Sequence, residues 1–320
     1  MDIHDARAVD AGAPDAETEL QARVAWFYYV GNLTQQEIAD RLGLTRIRVN
    51  RLLAAGRQSG LLQITINSEI ASCVELERRL VARYGIEDAV VVPTPDTEEL
   101  VRDALGVGAG TWLAKTLRDG DTVAMGWGRT LRSVIRSFPK MRMSSVAVVS
   151  LQGGLSHCSS INTFELVWQF AEKIGADRHF FAAPIYASSE GARDTILEQE
   201  AIRETYGKAV AADLALVTVG DMDESLVVTY GFDRAEQVAA LKAAGAVGDL
   251  LGHFLDAEGA PVDHALNRRT VAVSLADLRR IRRLALVSGG ERKTAITRAA
   301  LRGGYVKVLV TDEAMAGRLL

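Results

Sequence analysis

Apolar residues follow two rhythms along this chain. As far as about residue 86 they recur three and four positions apart, the period of amphipathic helices; from Asp88 they arrive as short continuous runs. In the first region Leu20, Val24, Phe27 and Tyr28 mark one face of a helix predicted over 17–32. Thr34 with Glu37 three positions on has the form of a capping box, and Leu33 and Ile38 stand where a hydrophobic staple would flank it. A second helix is therefore predicted to start at Thr34 and stop at Gly43. Thr45 caps a third, running to about Ser59. "LLQITIN" (61–67) alternates as a strand and predicts a small wing. The stretch 70–85 reads as another helix, with Val74, Leu76, Leu80 and Val81 on its apolar side. That side either packs on its own domain or pairs with a second subunit.

The second and third helices form a recognisable pair. Ile38, Leu42, Leu44, Val49 and Leu52 are apolar, Ala39 is small where two helices must cross closely, and Gly43 sits at the turn. This is the helix-turn-helix pattern, whose second helix enters the major groove of DNA.

From Asp88 the runs "AVVVP" (89–93), "TVAMG" (122–126), "SVAVVSLQGG" (145–154), "LALVTVG" (214–220), "LALVSGG" (284–290) and "VKVLVTD" (306–312) alternate with helical stretches. Continuous apolar strands between helices predict an α/β domain with a mostly parallel, doubly wound sheet covered on both faces. Ligands of such sheets bind beyond the carboxyl ends of the strands. "GVGAG" (106–110) has the look of part of a dinucleotide fingerprint, but it follows a helical stretch and not a strand, so it is set aside.

Composition narrows the function. The chain has 320 residues, 48% hydrophobic and 24% charged, with net charge −4; a basic nucleic-acid coat is excluded. Locally the balance reverses. Arginines stand at 41, 46, 48, 51 and 57, and no carboxylate lies between 41 and 57. Arg46, Arg48, Asn50 and Arg51 suit base edges and phosphates, and the helix starts at Thr34 and Thr45 suit phosphates; these six are the candidate DNA contacts. The acidic, small-residue start (1–16) predicts a disordered tail, and lacks the order of a secretion signal. No apolar run is long enough for a membrane span. Cys73 and Cys158 stand alone, and the five histidines, His157 beside Cys158 included, show no metal-ligand spacing. A cytoplasmic protein without metal or cofactor is expected.

Two strand-to-helix loops break one rule. Gly126-Trp127-Gly128-Arg129-Thr130 and Gly289-Gly290-Glu291-Arg292-Lys293-Thr294 each place a cation in or beside a first helical turn, where the helix dipole disfavours it by about 0.3–1 kcal/mol. An anion between the cation and the helix start resolves the conflict. Gly126, Gly128, Arg129, Thr130 and Lys293 are therefore candidate phosphate contacts. Gln152, Gly153, Gly220 and Asp249 follow other strands and are candidates for reading sugar hydroxyls; a hairpin is expected after Asp249. "DMDE" (221–224) is either a metal cluster or, the preferred reading, a solvated acidic loop.

The segments "GNLTQQEIADRLGLTRIRVNRLL", "VAMGWGRTL", "LQGGL", "GAVGDLLGHFLDAEG" and "LALVSGGERKTAITRAAL" together resemble the SorC family of bacterial transcriptional regulators, in family order and over nearly all of the chain after the tail. The resemblance implies a helix-turn-helix domain (17–68), a linker helix (69–86) and an effector domain (87–320) related in fold to phosphosugar isomerases. It implies operator DNA and a sugar or polyol phosphate as partners, and a homo-oligomer, dimer or tetramer. By position, Gly128, Arg129 and Thr130 lie at the phosphate with Lys293 closing on it, and Gln152 and Asp249 approach the sugar. The alternative is an enzyme of the phosphosugar isomerase or deaminase type, with Asp221, Glu224, Asp249 and His253 as candidate acids and bases.

Overall fold

The computed structural model describes residues 16–31, 33–62, 70–155, 162–230 and 234–320. The chain forms two compact units, divided between residues 65 and 66. The predicted tail (residue 16 apart), the wing strand after Leu62, and His157 and Cys158 lie outside the described residues.

The first unit holds three helices among the described residues: α1 (Ala16–Tyr29), α2 (Gln35–Leu42) and α3 (Arg46–Gln58). Their boundaries follow from local chemistry. The Thr34 backbone N–H donates to Glu37 Oε2 at 2.7 Å, and the Glu37 N–H donates to Thr34 Oγ1 at 3.3 Å, a complete capping box. Gly43 ends α2 in the left-handed conformation at φ 63°, and Thr45 Oγ1 accepts from the Arg48 N–H at 3.2 Å to start α3. Val24, Ile38, Ala39 and Val49 are fully buried at the centre, with Leu52 and Leu53 beside them. Each of the larger side chains contributes about 1.5–3 kcal/mol by burial.

In the second unit the strands among the described residues are β1 (Asp88–Val92), β2 (Thr122–Met125), β3 (Ala147–Ser150), β4 (Asp177–His179), β5 (Leu214–Val217), β6 (Val219–Asp221), β7 (Gly248–Leu250), β8 (His253–Leu255), β9 (Leu284–Val287) and β10 (Val308–Asp312). Seven form one sheet in the order β1-β10-β9-β5-β2-β3-β4, with every pair parallel. Alternate residues of the strands feed two cores. Ala124, Val149, Ala215 and Leu286 face one side; Val123, Met125, Leu216 and Val287 face the other. Burial on both faces is why these strands appear as unbroken apolar runs. Strands β6, β7 and β8 form a separate antiparallel sheet. The edge strand β4 gives no sign of itself in the pattern: it reads Asp-Arg-His, with no apolar residue.

A helix α4 (Ile70–Tyr84) precedes β1. Leu80 is fully buried, Leu76 and Val81 pack on the same core, and Val74 is exposed. Glu77 Oε1 accepts from the Val91 N–H at 2.9 Å, satisfying a donor on the edge strand β1; burial raises the Glu77 pKa. The Tyr84 hydroxyl donates to the Leu319 carbonyl at 2.7 Å. Val74 apart, the apolar side of α4 is thus spent on its own unit.

Between strands β1 and β2 runs α5 (Glu98–Thr116), and α6 (Arg129–Ser137) follows β2. The "GVGAG" glycines lie inside α5, where Gly106 and Gly110 let α6 approach and Gly108 packs on Val92 and Val310. A Cβ at Gly106 would stand 2.7 Å from the Ser133 carbonyl carbon.

The winding fixes where a ligand can lie. From β2 the chain moves outward through β3 to β4; from β5 it moves the other way through β9 to β10. Neighbouring β2 and β5 are therefore the switch point, where the loops at their carboxyl ends diverge and leave a crevice.

Candidate functional site

The loop after β2 lines this crevice. Gly126 N–H donates to the Leu216 carbonyl at 2.9 Å, and the Thr218 hydroxyl donates to the Trp127 carbonyl at 2.7 Å, tying the β2 and β5 loops together. Gly128 adopts φ 124°, and a Cβ there would sit 2.9 Å from Thr218 Oγ1; only glycine suits the position. No side chain caps α6, and its first turn holds no acidic residue. Its leading N–H groups therefore retain their capacity to bind an anion.

The enclosed part of the crevice measures about 70 Å³. Of the sequence candidates, Gly128, Arg129, Thr130, Gly220, Asp249 and Lys293 line it. Gly126 lies behind it, its Cα side facing Leu251. Gln152 and Gly153 are outside the lining as well: Gln152 is wholly buried, with neither amide atom hydrogen-bonded among the described residues, and Gly153 N–H donates to Val271. A larger space of about 360 Å³ adjoins the first, sharing Glu98, Val101, Asp221, Gly289, Arg292 and Lys293 with it.

Arg292 stands on the border of the two spaces. It donates to Glu224 Oε1 at 2.5 Å and Oε2 at 2.9 Å, and to Glu98 Oε2 at 2.8 Å. These bonds hold its pKa above the ordinary arginine value. It joins the start of α5 to the loop after β6 across the mouth of the crevice, a clasp that sequence separation concealed. Glu98 also pairs with Arg102 at 3.5 Å. Four basic side chains on the lining, Arg102, Arg129, Arg292 and Lys293, face four acidic ones, Glu98, Asp221, Glu224 and Asp249, but the pairing is uneven. Among the described residues neither Arg129 nor Lys293 has a carboxylate oxygen within 4 Å.

Each acidic group has its own task. Asp221 Oδ1 accepts from the N–H groups of Asp223 and Glu224 at 2.8 and 2.7 Å, and Asp223 pairs with Lys242. "DMDE" is thus a self-capped loop, and no group of potential metal ligands occurs among the described residues. Asp312, buried at the end of β10, accepts from Gly290 N–H and from the Thr94 hydroxyl, both at 2.9 Å, and so fixes the Lys293 loop. Asp249 is buried on β7 and accepts from Gly252 N–H at 3.2 Å. Burial raises its pKa to about 7 against the lowering influence of Ser225, Gly252 and Lys293. Lys293, half-buried, is shifted the opposite way, below the usual lysine value, by loss of solvent; Asp221, Glu98 and Asp249 oppose that shift. His253 does not line the crevice, and burial holds its pKa down at about 4.

The first unit presents a different surface. Thr45, Arg46, Arg48, Asn50 and Arg51 are all exposed on the first turns of α3, and none of the three arginines forms an ion pair among the described residues. Thr34 is exposed, but its hydroxyl is engaged in the capping box, donating to Glu37 Oε2 at 2.7 Å. Arg41 lies over the Phe27 ring at 4.8 Å.

Residues 68–320 match the family model described as "Putative sugar-binding domain", and residues 18–59 match that of sigma-70 region 4. The erythritol catabolism regulatory protein EryD of Brucella abortus is 33% identical over 311 residues, covering 96% of this chain and 98% of that protein. The transcriptional regulator LsrR of Klebsiella pneumoniae is 34% identical, covering 97% and 95%. The crystal structure of the full-length sorbitol operon regulator SorC from Klebsiella pneumoniae superposes with a TM-score of 0.76 at 28% identity, over 96% of this chain and 99% of that one.

Proposed function

This chain belongs to the SorC family of sugar-responsive transcriptional regulators, and we propose that its effector is a phosphorylated sugar or polyol held in the crevice between β2 and β5. One observation carries this reading: an uncapped helix start, Arg129 and Lys293 meet in one small chamber, and neither cation has a carboxylate partner among the described residues. The phosphate takes the chamber, bound by the α6 N–H groups, Thr130, Arg129 and Lys293. The remainder of the effector extends past Asp249 and the Arg292 clasp toward the larger space. That relatives are named for erythritol, sorbitol and deoxyribonucleosides supports a sugar or polyol; the phosphate rests on the chamber alone.

Operator DNA is read by α3 through Arg46, Arg48, Asn50 and Arg51, in the cytoplasm and by a homo-oligomer, since paired half-sites require paired reading helices. Effector binding shifts operator affinity only as far as it prefers one subunit arrangement over another. A thermal-shift screen of sugars, polyols and their phosphates, followed by operator binding with each hit, tests this. Stabilisation by a phosphorylated compound and a change in operator affinity are expected; stabilisation only by unphosphorylated compounds would contradict it.

The enzyme alternative finds one supporting group, Asp249 with its pKa of about 7. Of the other sequence candidates none joins it, since Asp221 caps a turn, Glu224 holds Arg292 and His253 does not line the crevice. Return of the stabilising compound chemically unchanged after long incubation is the expected result.

A further inference from the structure

Ile47 is 68% exposed, more than any other large apolar side chain among the described residues, and it stands between Arg46 and Arg48 in the first turn of α3. Its position is not incidental to the helix. Val49, Leu52 and Leu53 form the buried stripe. At roughly 100° per residue, Ile47 lies about 160° from Val49, and Arg51, four positions on, shares its side. Ile47 is therefore the apolar centre of the face turned farthest from the core. The flanking face carries Arg46, Arg48, Asn50 and Arg51, all exposed. Positive charge without a carboxylate partner fits a polyanion, and the first turn of such a helix is the part that meets base edges.

In the major groove one base alone offers an apolar contact, the C5-methyl group of thymine. We propose that Ile47 is a specificity-determining residue that packs against a thymine methyl in each operator half-site. This rests on α3 being the DNA-reading helix. The arginines and Asn50 bind phosphates and hydrogen-bonding edges; Ile47 adds discrimination for T that salt does not screen, because it rests on excluded apolar surface and not on charge.

The test uses the full chain. Operator sequences are selected from random duplex DNA with the wild type and with Ile47→Ala. The wild type is expected to require T at one position per half-site, and Ile47→Ala to lose that requirement while keeping the others. Replacing that thymine by deoxyuridine removes only the methyl. It should weaken the wild type about fourfold, the equivalent of about 0.8 kcal/mol for one buried methyl, and leave Ile47→Ala unchanged. Ile47→Thr, which keeps a methyl, should recover part of the preference. The salt slope should be the same in all three. Equal sensitivity to deoxyuridine in wild type and Ile47→Ala, or insensitivity of the wild type at every selected thymine, overturns the proposal. Failure of the wild type to select any sequence overturns the reading of α3 as well.

Discussion

The helices α3 and α6 both begin with an arginine, Arg46 in one and Arg129 in the other, and the differences around them suit two kinds of anion. Thr45 caps α3 with its side chain, and Arg46, Arg48, Asn50 and Arg51 beyond it are exposed, with no carboxylate from 41 to 57. Excess positive charge on such a surface suits a long polyanion and makes binding salt-dependent. Gly128 starts α6 with no side-chain cap, inside a crevice where four cations face four carboxylates. Net charge selects only weakly there, since Asp249 alone, with its pKa raised to about 7, tips the balance. Selection depends on which cations are already paired, and among the described residues Arg129 and Lys293 are not. Under the proposed function, the same first-turn arginine serves an extended partner on one unit and a small enclosed one on the other.

The largest test of this contrast is Lys293→Ala. Removing one partner of a desolvated charged pair costs about 2–5 kcal/mol, so affinity for a phosphorylated effector should fall at least about thirtyfold by calorimetry, while operator affinity without effector holds. A simultaneous fall in both affinities would merge the two sites.

Next in size is the pH response. The Asp249 pKa is raised to about 7 from 3.8. A raised acid stabilises the fold fully below its unfolded pKa, and that stability is lost as pH rises through about 7. At roughly 1.4 kcal/mol per unit the loss has an upper limit of about 4 kcal/mol. Melting temperature followed from pH 4 to 8 should show the wild type falling relative to Asp249→Asn, whose side chain stays neutral. Parallel curves would remove Asp249 as the neutral-pH group of the crevice.

On the other unit, Arg46→Ala and Arg51→Ala should each weaken operator binding about fivefold or more, with a salt slope shallower by about one for each phosphate left unneutralised. Effector affinity should not change. The smallest expected effect is at the clasp: its pairs are half-exposed, so Glu224→Gln should cost about 1 kcal/mol or less in stability and be visible mainly as faster effector dissociation.

Legibility in the sequence followed the range of the interactions involved. The starts of α2 and α3 could be placed to the residue because Thr34–Glu37 and Thr45–Arg48 are local bonds. The strands β2, β5, β9 and β10 were legible because burial on both faces leaves unbroken apolar runs. The clasp was not, since Glu98 and Arg292 are 194 positions apart and either alone is an ordinary surface charge. Asp312 was equally silent, its partners Thr94 and Gly290 coming from opposite ends of the unit. Gln152 illustrates another limit. Its place after β3 pointed to the ligand crevice, yet the side chain is wholly buried outside the lining, because proximity to a strand end does not fix which way a side chain turns.

The central claim is that an anion completes Arg129 and Lys293, and a crystal structure with a phosphorylated compound from the thermal-shift screen tests it most directly. The account predicts phosphate oxygens within hydrogen-bonding distance of the first N–H groups of α6 and of Lys293 Nζ, with the Arg129 guanidinium turned toward them. A compound seated elsewhere, with both side chains extended into solvent, would contradict it.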